Sequence, residues 1–198
     1  MTWQHFVALG DSLTEGIGDH VEGIETMSWA DRVAQVLHPM RYTNLAKRGQ
    51  TSDEVIATQL QTAFALQPDL VSVLMGGNDD RNPDWKIEDF HTNLHVVLRA
   101  LSYSGAQLIT MTMVDISPLL PEWYLPKFEV LGGRIRAIND SVRRISPQYD
   151  AICVDLETHP QVQQQATLSA DYLHPNMLGY QRIAAEVVRQ LEIHFVHE

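Results

Sequence analysis

Ser12 stands where an apolar run breaks into a turn, in ALGDSLTEG (residues 8–16). A serine ahead of a helix is ordinarily an N-cap, its hydroxyl accepting from a backbone N–H two or three residues on. The same hydroxyl becomes a nucleophile when a neighbouring base takes its proton. His174, one of nine histidines, lies in ADYLHPNMLGY and offers an imidazole. A base of that kind needs an acceptor on its second ring nitrogen to hold the correct tautomer. Asp171 stands three residues earlier, and on one helical turn the two side chains would share a face. Without chemistry, Asp171 reads as a local cap ahead of a helix led by Pro175.

Attack on an ester carbonyl would create an oxyanion, which fixed hydrogen-bond donors must stabilise. GGND (residues 76–79) offers the Asn78 side-chain amide beside glycines that let backbone approach a ligand. NLAKRG (residues 44–49) brings the Gly49 N–H as a further donor. Each segment alone is equally well read as ordinary turn chemistry.

These residues need elements to hold them. HFVALG (5–10), RYTNLA (41–46), LVSVLMG (70–76), AQLITMTM (106–113) and AICVDL (151–156) read as short strands, the third and fourth apolar nearly throughout. Amphipathic stretches over 29–37, 53–65, 87–101, 131–145 and 176–193 alternate with them and read as helices. That alternation predicts an α/β fold with one doubly wound parallel sheet of about five strands. Ligands of such sheets bind outside the carboxyl ends of the strands. Ser12, Gly49 and Asn78 follow the first three strands and fall on that rim.

GDSLTEG, NLAKRG, GGND and DYLHPN in this order resemble the motif blocks of the SGNH (GDSL-type) esterase/lipase hydrolases, over residues 9 to 180. The resemblance implies a three-layer α/β/α, flavodoxin-like fold and a single catalytic domain over residues 1–198. It implies Ser12 as nucleophile, His174 as base and Asp171 as its orienter. The oxyanion hole would be the Ser12 and Gly49 N–H groups and the Asn78 side chain, with no metal and no cofactor. The partner would be a small-molecule carboxylic ester. An acyltransferase or thioesterase would use the same triad, whereas a carbohydrate- or lipid-binding module would have no need of an activated serine.

The rest of the chain narrows the field. The 14 basic and 25 acidic side chains give a net charge of −11, which repels phosphate backbones and anionic membranes. No secretory signal is evident, and no apolar run approaches the roughly 20 residues of a membrane helix, so a cytoplasmic location and no membrane insertion are expected. Cys153, the single cysteine, reads as a small buried hydrophobe. Asp11 is expected to brace the turn through local N–H groups. Asp79, Asp80, Asp84 and Asp115 lack the spacing of a cation loop and read as solvated loop residues. The glycines of GDSLTEGIG lack the order of a dinucleotide-binding turn. DISPLLPEWYLPKF (115–128) carries three prolines and reads as a loop on the active rim. Its Trp123 and Tyr124, with Leu119, Leu120 and Leu125, are candidates for substrate binding or for covering a sheet edge or homodimer contact; the last helix is a second candidate dimer surface.

Overall fold

The computed structural model describes residues 2–79, 82 and 84–196. Five strands, β1 (His5–Gly10), β2 (Arg41–Asn44), β3 (Leu70–Leu74), β4 (Gln107–Met111) and β5 (Ile152–Val154), form one sheet in the order β2-β1-β3-β4-β5. Every pairing is parallel. The order reverses between β1 and its two neighbours, which makes the crevice at the carboxyl end of β1 the switch point of the sheet. β1 and β3 are buried along their whole length, as their continuous apolar sequence requires, whereas the edge strand β2 is more open.

The helices are α1 (Ser12–Glu15), α2 (Trp29–Leu37), α3 (Ser52–Val55), α4 (Gln61–Ala65), α5 (Ile87–Ser102), α6 (Leu125–Ile145) and α7 (Met177–Val196). A π-turn, Ile56–Leu60, joins α3 to α4 into one continuous rod. α2 packs on α7, while α3–α4, α5 and α6 pack on one another, giving a helical layer on each face of the sheet. Between them lies the main apolar core, which includes Phe6, Leu9, Trp29, Val71, Phe90, Ile109 and Tyr180, with a smaller cluster of Ile116, Leu120 and Phe128 separate from it. Among the described residues no helix is long and apolar enough to cross a membrane.

The expected loop at 115–128 is shorter than its proline content predicts. α6 begins at Leu125, six residues ahead of the expected start, because Pro126 falls in its first turn, where a missing N–H costs no hydrogen bond. Pro118 likewise sits inside a 3-10 turn, Ser117–Leu119.

Candidate active site

The break after β1 is built by glycine and aspartate. Gly10 has φ 155°, and a Cβ there would stand 2.3 Å from the Leu74 carbonyl oxygen. Asp11 is the N-cap of α1: its Oδ1 accepts from the Leu13 N–H at 3.0 Å. The capping position therefore belongs to Asp11, and Ser12 is the first residue of the helix, with its hydroxyl unclaimed by the cap. As the first helical residue, its N–H also has no intrahelical partner.

His174 reaches Ser12 across 162 residues of sequence, with Nε2 2.8 Å from Ser12 Oγ. Asp171 Oδ2 accepts from His174 Nδ1 at 2.6 Å. With Nδ1–H committed to the carboxylate, Nε2 is the acceptor that faces the Ser12 hydroxyl. The turn that does this is not helical. Tyr172 takes φ 57°, and Asp171 Oδ1 accepts from the Leu173 and His174 N–H groups at 2.9 and 3.0 Å. One carboxylate thus shapes the turn with one oxygen and orients the imidazole with the other. Burial alone would raise the Asp171 pKa, but these donors outweigh it and hold the carboxyl below its usual value.

Two anchors fix the turn to the rest of the rim. The Asp19 N–H donates to Ser169 Oγ at 2.9 Å, and Asp19 Oδ2 accepts from the Ala170 N–H at 2.7 Å. Asn176 then caps α7, its Oδ1 accepting from the Leu178 and Gly179 N–H groups. Pro175 precedes that cap rather than opening the helix.

The Asn78 amide is held on both hydrogens: Nδ2 donates to Asp11 Oδ2 at 3.2 Å and to the Gln50 carbonyl at 3.1 Å. Gly49 has φ 74° in the turn before α3 and immediately precedes Gln50. Ser12, Asn78 and His174 line one cavity; Gly49 stands outside its lining. Asp11 is fully enclosed, and burial pushes its carboxyl up to about 6 against the lowering effect of the Leu13 N–H.

Asp79 is a correction to the sequence reading. It is buried, not solvated, because Oδ1 accepts from the Ser52 N–H at 2.7 Å and Oδ2 from the Ser52 hydroxyl at 2.6 Å. Asp84 is exposed, Asp115 is half-buried and accepts from the Ser117 N–H, and Asp80 lies outside the described residues. Among the described residues no group of three or more His, Cys, Asp or Glu side chains is placed to hold a metal. Cys153 is half-buried, and burial raises its thiol pKa.

From Ser12 the cavity runs inward between α6, the 3-10 turn and α7. Its walls are Ile116, Leu119, Phe128, Leu131, Ile135, Leu156, Val162, Leu168 and Ile183. Trp123 and Tyr124 are not in that lining. Their rings meet Tyr172 edge-on at 6.0 Å and tilted at 5.6 Å, so both pack on the turn that carries His174. Phe128 was missed as a cavity wall because it falls at the end of the expected loop, three residues ahead of the expected helix start; Leu131 was placed on the helix, but the helical pattern does not say that its face lines the cavity.

The family model for the GDSL-like lipase/acylhydrolase family matches residues 8–182. The chain belongs to that family and is a carboxylic ester hydrolase. Solved structures with the same fold include TesA, 21% identical with a TM-score of 0.72 over 96% of this chain and 99% of that one. A lipase/acylhydrolase from Enterococcus faecalis is 23% identical, with a TM-score of 0.74 over 96% of both chains. The acetylxylan esterase Axe2 from Geobacillus stearothermophilus is 18% identical, with a TM-score of 0.72 over 95% of this chain and 94% of its own. No curated protein sequence matches the chain significantly.

Proposed function

We propose that the chain hydrolyses carboxylic esters with an apolar acyl group through a covalent acyl-enzyme on Ser12. The observation that carries this reading is the relay from Asp171 through His174 to Ser12, with hydrogen-bond distances of 2.6 and 2.8 Å. Ser12 Oγ attacks the carbonyl carbon while its proton passes to His174 Nε2, and the carbonyl π pair becomes an oxyanion. The Ser12 N–H, the Gly49 N–H and Asn78 Nδ2 stabilise that charge. Asn78 turns one N–H from Asp11 or from the Gln50 carbonyl to the oxyanion. Collapse expels the alcohol, which takes the proton from His174. Water then repeats the cycle on the acyl-enzyme, with His174 again as base, and releases the acid.

The cavity walls give the acyl group its chemistry: branched aliphatic and aromatic side chains start beside Ser12 and offer a carbon chain a dry environment. A p-nitrophenyl ester series from acetate to palmitate tests both points. Turnover is expected with an optimum longer than acetate, and Ser12→Ala is expected to lose at least about a thousandfold. Near-native turnover by Ser12→Ala would overturn the mechanism.

A further inference from the structure

We propose that Gln59 is a positioning residue for the oxyanion hole, holding the three segments that carry its donors in register. The inference deepens the proposed ester hydrolysis and rests on it. Gln59 is 2% exposed, lies in the π-turn between α3 and α4, and touches none of the cavity. Its amide is fully used. Oε1 accepts from the Gly10 N–H at 3.0 Å, Nε2 donates to the Gly10 carbonyl at 2.7 Å, and Nε2 also donates to Gln50 Oε1.

The reason for this arrangement lies in the sheet. β2 pairs with β1 only as far as Ala8 opposite Asn44, then leaves for the Gly49 turn. On that side the Gly10 carbonyl still accepts from the Lys47 N–H at 3.2 Å, but the Gly10 N–H, two residues before the nucleophile, is past the last strand pair. Gln59 Oε1 takes that N–H, and Nε2 adds a second bond to the carbonyl. A buried N–H left open there would carry a desolvation penalty.

The second half of the link runs to the other donors. Gln50 follows Gly49 directly, receives Gln59 through its side chain, and holds Asn78 through its main-chain carbonyl. Asn78 in turn bonds Asp11, which caps the helix begun by Ser12. The path Gly10–Gln59–Gln50–Asn78–Asp11 is a closed ring that passes through all three donor segments. Gln59 is its only member outside the motif blocks and their immediate neighbours. Displacement of a donor by about 1 Å is enough to weaken oxyanion stabilisation without changing how substrate binds.

The test compares wild type with Gln59→Met, which keeps length and volume but loses all three bonds, and with Gln50→Ala, which removes the Gln59–Gln50 link and the exposed bonds to Thr58 while leaving the Gln50 carbonyl on Asn78. The readouts are kcat and KM on p-nitrophenyl butyrate, Tm, and inhibition by an alkyl trifluoromethyl ketone. Ser12 Oγ bonds the carbonyl carbon of that ketone, the serine proton passes to His174 Nε2 and the carbonyl π pair becomes an oxyanion, so the ketone's affinity reads the donors directly. Gln59→Met is expected to lower kcat and weaken the ketone by the same factor, about tenfold, with KM within about twofold. Gln50→Ala is expected to lose about threefold in both with Tm unchanged. A purely structural Gln59 would lower Tm and leave kcat per folded molecule and ketone affinity alone, which would overturn the proposal. If Gln59→Met does not fold, Gln50→Ala decides: unchanged kcat and ketone affinity overturn it. Wild type without Ser12-dependent turnover would instead overturn the esterase reading, and this inference with it.

Discussion

Asp11 shows how one side chain can serve two structural roles at an electrostatic cost. It caps α1 and holds the Asn78 amide, yet its burial moves its pKa from 3.8 to about 6. The folded state therefore binds the Asp11 proton more tightly than the unfolded chain. The stability this contributes is full below pH 4 and is lost as pH rises through 6. A change from 3.8 to about 6 corresponds to about 3 kcal/mol. Unfolding free energies of wild type and Asp11→Asn, measured by urea from pH 4 to 7, should show wild type losing about that much relative to the variant. A difference independent of pH would mean that Asp11 stays ionised throughout.

At the scale of elements, α6 decides what the active cavity can hold. Its first three turns carry Phe128, Leu131 and Ile135 to the cavity wall, which Leu119 of the 3-10 turn and Ile116 just before it also line. Leu131→Trp should fill the space and shift the p-nitrophenyl optimum toward shorter acyl chains, whereas Trp123→Ala, outside the lining, should shift it less. Equal profiles for Leu131→Trp and wild type would place the acyl chain elsewhere. The strands, the helix alternation and the motif residues were legible because periodicity and short-range turn chemistry specify them. The early start of α6 was not, since Pro126 reads as a breaker until its place in the first turn is known. Asp79 was misread for a related reason: its partner Ser52 is 27 residues away, and only the sheet brings them together. Gln59 left a faint signal, a glutamine on the buried face between Val55 and Ala63, but its partner Gly10 is 49 residues distant.

Across the whole molecule, the candidate nucleophile and its base come from opposite ends of the chain. Ser12 opens α1 just past the carboxyl end of β1, the strand between β2 and β3, and His174 lies on a turn pinned to Asp19 just before α7. Neither a strand nor a turn alone would activate the serine, so on the proposed mechanism its reactivity would be a property of the complete fold. Labelling with a fluorophosphonate, followed by peptide mass mapping across a urea titration, tests this most directly. The account predicts one adduct, on Ser12, that disappears with the same midpoint as the folded structure and is absent in His174→Ala. An adduct on another residue, or labelling of Ser12 that persists in the unfolded chain, would contradict it.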